Sequence, residues 1–284
     1  MYPSLISLFL LLPLFGAAQQ HELLPYAPEL FPPNVSSGVC GFSPDGGTIY
    51  FVQEDSVVKK LFLYQATKAG KVWGHINLLP FSGKHNDSGG RLSVDGKTFY
   101  FTSDRPGGSA TENDHWNIWA TTLKPNGWNE PQPLEINNKG MECCPVPLTK
   151  GGFLFSGDRD KATAWWISRW NAKEKTETFV DGLNEQKAWQ WPSSIDKKGE
   201  ILFLNSMRRM DTKGMDDIYI SFQQNEVWSQ PINIGNPINT VAYEDGAILS
   251  PDEKWLIFCR HESSTTPSRV LCIQWKPLLG RLRK

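Results

Sequence analysis

The chain carries no metal or redox signature. Its five His and five Cys fall into neither a His-Glu-x-x-His nor a Cys-x-x-Cys spacing, so neither a metal nor a cofactor is expected. An excess of one charge is lacking too: 29 Lys and Arg stand against 30 Asp and Glu, which leaves no broad basic field for nucleic acid. Beyond Phe15 no apolar run is long enough to cross a bilayer, so no transmembrane span is expected.

The first residues read as an export signal. Leu5 to Phe15 is an apolar run of signal-core length, and Gly16-Ala17-Ala18 offers small residues for cleavage. No Lys or Arg precedes the run, and no Cys follows it until Cys40, which disfavours a lipid-anchored form. Residues 1–18 are therefore expected to be a signal peptide and 19–284 a single exported domain, periplasmic or secreted.

What the chain has is aromatic residues, 12 Trp, 15 Phe and 7 Tyr, and a repeat. Ser93-Val94-Asp95-Gly96 precedes the apolar triplet Phe99-Tyr100-Phe101, and Ser103 to Gly108 ends the strand. Asp-Gly supplies a residue free to take positive φ, and the triplet suits a strand covered on both faces. Related phrases precede Ile49-Tyr50-Phe51, Phe153-Leu154-Phe155, Ile201-Leu202-Phe203 and Leu256-Ile257-Phe258. Anchored on Asp45, Asp95, Thr149, Asp196 and Asp252, the separations are 50, 54, 47 and 56. Such a period predicts propeller blades of four strands each.

Each repeat reads outward from the axis: an inner strand, the triplet strand, an aromatic-rich third strand, and a Trp-led outer strand. Blades are expected at approximately 34–83, 84–137, 138–184, 185–239 and 240–276 plus 21–33. The last blade lacks an outer strand. The Pro-rich segment His21 to Pro33 is expected to fill that slot, removing an exposed edge. The fold class is thus all-β, a five-bladed β-propeller with an N-terminal strand closing the last blade. Most Trp side chains are assigned to blade packing, and the basic end Arg281 to Lys284 reads as a tail.

The phrase Trp228 to Thr240, followed by Tyr243-Glu244-Asp245 and the Ser250-Pro251-Asp252 turn, resembles the TolB-type WD40-like propeller repeat. Ser103 to Gly108 and Asp217-Ile218-Tyr219 match two further phrases. The resemblance spans nearly all of the chain after the signal. It implies a propeller of the kind found in bacterial OmpA-family envelope proteins, where an OmpA-type peptidoglycan-binding domain often follows. The third unit departs from it by lacking the turn Asp. Here the chain stops at Lys284 without the OmpA-type domain, so that domain's anchoring role is not carried over.

Chemistry would sit where inner strands begin. About eight residues before each turn Asp the sequence has Ser37, Asp87, Met141 or Glu142, Lys187 or Ala188, and Glu244 with Asp245 beside it. Asp87, Glu142, Glu244 and Asp245 are therefore the candidate ligand-binding residues. Asp87, Glu142 and Glu244 could instead serve a carbohydrate-active hydrolase as paired acid and base, bind a cation through oxygen ligands, or cap turns and blade junctions. The turn motif also resembles the sialidase Asp box, but Arg91, Arg105, Arg159 and Arg208 lie in different contexts and make no Arg cluster.

Loops that follow the second strand should cluster on one face. Arg105, His115, Arg159, Arg208 and Arg209 are the candidate partner-binding residues there. Cys259 and Cys272 fall on adjacent strands of one blade and are the candidate disulfide. Cys143 and Cys144 are sequence neighbours, and pairing them would strain an extended chain. The sequence reads as a noncatalytic protein-binding or assembly scaffold of the cell envelope, with an envelope protein as partner and a carbohydrate as a further candidate ligand. The alternative is the hydrolase.

Overall fold

A computed structural model describes residues 22–70, 72–108, 116–137, 140–158, 164–263 and 265–283. The expected signal peptide lies outside the described residues. Five antiparallel sheets follow one another around an axis. After a short β1 (Leu24–Pro25), blade 1 holds β2 (Ser37–Phe42), β3 (Thr48–Glu54), β4 (Leu61–Ala69) and β5 (Val72–Leu78). Blade 2 holds β6 (Asp87–Leu92), β7 (Thr98–Ser103), β8 (Asn117–Lys124), and an outer edge of β9 (Gly127–Trp128) and β10 (Gln132–Pro133). Blade 3 is β11 (Glu142–Pro147), β12 (Phe153–Gly157), β13 (Trp166–Asn171) and β14 (Thr176–Phe179). Blade 4 is β15 (Trp189–Ile195), β16 (Ile201–Met207) and β17 (Asp217–Gln224), with β18 (Val227–Trp228) and β19 (Ile232–Asn233) at its rim. Blade 5 is β20 (Tyr243–Leu249), β21 (Trp255–His261) and β22 (Arg269–Gln274), completed by β1.

The closure is the one the sequence requires. Leu24 pairs with Cys272 and Pro25 with Leu271, and Tyr26 N–H donates to Val270 O at 3.0 Å. Leu30 and Phe31 then bury themselves beside Phe51 of blade 1 and Ile257 of blade 5. Each of five apolar clusters lies between two neighbouring blades. Tyr50 and Leu63 meet Phe99 and Phe101, Ile118 meets Phe153 and Phe155, and Val146 and Leu154 meet Leu202 and Leu204. Ile201 and Phe203 meet Leu256 and Phe258, and the fifth cluster joins blade 5 to blade 1. This is why the triplets are apolar on both faces: each is sandwiched.

The turns after the inner strands explain the repeat chemistry. Ser43 Oγ accepts from Thr48 N–H at 2.8 Å and donates to Asp45, whose Oδ1 also takes the Gly47 N–H at 2.9 Å. Ser93 with Asp95, and Ser250 with Asp252, repeat this network. Gly46 and Gly96 supply φ of 69° and 74°, and Glu253 takes 51° in the same slot. Blade 4 differs from the sequence alignment. Asp196 occupies the place of the Ser, not of the Asp: its N–H donates to Ile201 O and its Oδ1 takes the Ile201 N–H at 2.9 Å.

The basic end is not a loose tail. Trp275–Leu282 forms a helix, α1, with Trp275 and Leu278 buried. Pro277 falls in the first turn, where its missing N–H costs no helical bond. Arg281 donates to the carbonyls of Asn236 and Ile234, tying the helix to blade 4.

Candidate functional site

The correction in blade 4 shifts the column of inner-strand residues. Counting six back from Ser43, Ser93, Leu148, Asp196 and Ser250 gives Ser37, Asp87, Glu142, Gln190 and Glu244. All five are buried, and Asp87, Glu142, Gln190 and Glu244 are wholly inaccessible. The fourth place thus belongs to Gln190 rather than Lys187 or Ala188.

This column does not converge on the axis. Neighbouring strand residues point to opposite faces, and these side chains turn into their own blades. Asp87 accepts from Arg105 Nη2 at 2.7 Å and from Ser82 Oγ at 2.6 Å. Glu244 accepts from Arg260 Nε at 2.8 Å and from Thr240 N–H at 2.9 Å. Gln190 accepts from Arg209 and from Glu185 N–H. Each guanidinium also donates to the connection that enters the blade: Arg105 to Phe81 O, Arg209 to Leu183 O, and Arg260 to Pro237 O and Ile238 O. The same cations lie over aromatic rings of their blades, Arg105 over Phe101 at 4.8 Å and Arg260 over Phe258 at 5.7 Å. Every one of these is an internal latch that binds a strand end to a blade junction.

Two expectations are corrected here. Asp87 and Glu244 are saturated with internal donors and do not line the channel, and Glu142 is buried in the equivalent place. Arg105 and Arg209, expected on a partner surface, are buried latch cations with 10% and 4% of their side chains accessible. Arg208 does reach the surface, with its guanidinium 4.3 Å from the Trp189 ring. His115 and Arg159 lie outside the described residues. His85 Nδ1 lies 3.8 Å from Asp104 Oδ1.

The channel belongs to the alternate residues. Every inner strand is bulged: the register slips between Val39 and Gly41, Ser88 and Arg91, Cys143 and Val146, Pro192 and Ser194, and Asp245 and Ile248. The bulges surround a cavity of about 150 Å³ to which all five blades contribute, among them Gly38, Ser88, Cys144, Trp191 and Asp245. Asp245 is therefore the one candidate carboxylate that faces the axis. Burial raises its pKa, against the opposing pull of His261 and a hydrogen bond with Cys259. Asp216, at the blade 4 to blade 5 junction, is pushed well above the usual carboxylate range by burial and then by the charge of Asp245. Its Oδ1 has no hydrogen-bond partner.

Arg91 spans the channel, lining both this cavity and a wider bowl of about 420 Å³ at the opposite mouth. Its Nε donates to Ser193 O and its Nη1 to Gly90 O, both at 2.8 Å. Nearby stand the thiols of Cys40, Cys144 and Cys259. Sequence reading had no means to single it out, because its position relative to the axis depends on the bulge.

At the strand-start mouth, Trp165 and Trp189 stack with centroids 5.3 Å apart, Trp191 meets Trp165 edge-on, and Tyr243 stacks on His261 at 4.6 Å. These three Trp are half-exposed, unlike Trp119 and Trp228, which pack between blades as expected. The disulfide expectation fails on register: Cys259 lies opposite Val270 and Cys272 opposite Ile257, and both are free thiols. Among the described residues, no group of three or more His, Cys, Asp or Glu is arranged to hold a metal.

No protein-family model matches this sequence, and no curated protein matches it. Solved structures do resemble it. A glycoside hydrolase is similar over 90% of this chain and 91% of its own, at 11% identity and a TM-score of 0.53. An endo-arabinase from Bacteroides thetaiotaomicron VPI-5482 is similar over 88% and 96%, at 11% identity and a TM-score of 0.49. A puromycin hydrolase is similar over 84% of this chain, at 12% identity and a TM-score of 0.47, and this chain spans 37% of that protein's length. At such identity the likeness to the glycoside hydrolase is one of fold alone.

Proposed function

We propose that this chain is an exported, noncatalytic β-propeller that binds a protein partner as an assembly scaffold of the cell envelope. One observation carries the reading: the carboxylates best placed by the sequence to do acid-base work, Asp87 and Glu244, are engaged in internal ion pairs. The TolB-type resemblance supports an envelope role, and the apolar run at Leu5 to Phe15 supports export to the periplasm or beyond. The contact surface is the strand-start mouth, where Arg208 on Trp189 and the neighbouring Trp165 and Trp191 present a rigid aromatic and cationic face.

The competing reading is a carbohydrate-active hydrolase, in keeping with the fold shared with a glycoside hydrolase. It would use Asp245 and Asp216, whose burial favours the protonated acid a leaving group needs. A photo-crosslinking residue at position 208, used in intact cells, should give one defined protein adduct that Trp189→Ala removes. Turnover of a polysaccharide panel that Asp245→Asn abolishes in a folded protein would overturn the scaffold.

A further inference from the structure

The channel holds a conformational oddity that the latches and the mouth do not explain. In β6 and β20 the bulge is turned by a glycine, Gly89 at φ 58° and Gly246 at φ 66°, and β11 puts Cys144 in that slot at φ 55°. A side-chain-bearing residue is costly there, and such outliers gather at sites of function. The turn has a second effect. Adjacent residues of an extended strand face opposite ways, and the left-handed turn at Cys144 breaks that alternation beside Cys143.

Cys144 shares its cavity with Arg91 and Asp245. Arg91 lines the same cavity, and among the described residues no carboxylate forms an ion pair with it. A guanidinium half-withdrawn from water without an anion is costly. The neighbouring Cys143 thiol draws the Cys144 thiol toward its ionised form, with the Arg91 charge helping, against burial and the negative charge of Asp245. Cys143 is buried, and its neighbour Cys144 and desolvation hold it as the neutral thiol. Cys40 and Cys259, the other thiols beside Arg91, are pushed upward by burial.

We propose that Cys144 is a peroxide-reactive thiolate opening on the propeller channel, with Arg91 as its counter-ion and Cys143 as its resolving thiol. The Cys144 sulfur attacks the terminal oxygen of a hydroperoxide. An S–O bond forms, the O–O bond breaks, and the departing alkoxide or hydroxide takes a proton from water. Sulfur loses two electrons and the peroxide gains them. The Cys143 thiol then gives its proton to the sulfenic hydroxyl as the S–S bond forms and water leaves. The left-handed turn at Cys144 replaces the extended geometry that would separate the two sulfurs. A dithiol reductant returns both thiols by exchange.

The test uses the whole protein and its own thiols as internal controls. Reduced protein is treated with one equivalent of hydrogen peroxide, and digested without reductant. The peptide Gly140 to Lys150 should become about 2 Da lighter, resist alkylation, and recover with a dithiol. Iodoacetamide should label Cys144 at least about tenfold faster than Cys40 or Cys259. Cys143→Ser should leave a sulfenic acid on Cys144 that dimedone traps. Arg91→Met should slow Cys144 about tenfold. Cys144→Gly places in blade 3 the residue that blades 2 and 5 already use, so it should fold and lose the fast reaction. Equal labelling of Cys40 and Cys144, a treated peptide whose two thiols both still alkylate, or a fast phase surviving in folded Cys144→Gly would each overturn the proposal.

Discussion

Arg260 donates from Nε to Glu244 Oε1 at 2.8 Å, and the pair is almost wholly removed from water. The same guanidinium holds the carbonyls of Pro237 and Ile238, so one cation joins the inner strand, the second strand and the connection into blade 5. Arg105 does the same for blade 2 and Arg209 for blade 4.

Removing one partner leaves the other charge buried and unpaired. Arg260→Ala is therefore expected to cost ~3–5 kcal/mol, and Glu244→Gln, which keeps an acceptor in place, ~1–2 kcal/mol. Urea unfolding checks both. A catalytic Glu244 would show the opposite pattern, unchanged stability with lost turnover.

The seam between the chain's two ends can be tested far from its hydrogen bonds. Leu30 is buried with Ile257 and Val270, more than two hundred residues away in sequence. Leu30→Ala should cost ~2–5 kcal/mol. Hydrogen exchange should show β22 amides losing protection along with those of residues 24–26. Loss confined to residues 24–26 would mean that the seam is not part of the cooperative fold.

Asp216 gives stability a pH slope. Its folded pKa lies well above the ordinary 3.8, because burial disfavours its charge. Between about pH 4 and that raised value the folded state holds more protons than the unfolded one, so this group's contribution falls as pH rises. Asp216→Asn should stabilise the protein by ~1–3 kcal/mol at pH 7 and by less at pH 4. Melting curves across pH would show the two proteins converging in acid.

The turn slot shared by Gly46 and Glu253 predicts opposite effects. A Cβ on Gly46 would lie 2.8 Å from Pro251 Cβ at a φ of 69°, so Gly46→Ala should destabilise by at least ~1 kcal/mol. Glu253→Gly relieves a φ of 51° and should gain ~0.5–1 kcal/mol. Paired thermal melts decide it.

The blades were legible in the sequence because each repeats a local chemistry: Ser and Asp must cap a turn, and a sandwiched strand must be apolar. The chain's own missing outer strand made the N-terminal closure legible too. Direction round the axis was not. Asp87 and Glu244 read as channel carboxylates, since a pleat gives only two choices and a one-residue difference between them reverses the side-chain direction. Asp196 added to the error by standing in for a Ser, which moved the fourth position from Gln190 to Ala188. Arg91 and Cys144 owe their places to bulges, and a bulge built on Cys rather than Gly leaves no familiar mark. Helix α1 was hidden because Lys276 and Pro277 break the apolar pattern, and its hold on blade 4 depends on carbonyls supplied by Ile234 and Asn236.

The meeting of Leu24 with Cys272 sets an order of assembly. During synthesis residues 24 and 25 are made long before their partners exist, so four blades can form while the fifth waits with an unsatisfied border. Fastening the ring is a late, long-range event, slow by the entropy of joining such distant points. Until then the growing chain is vulnerable to pairing with a neighbour's strand.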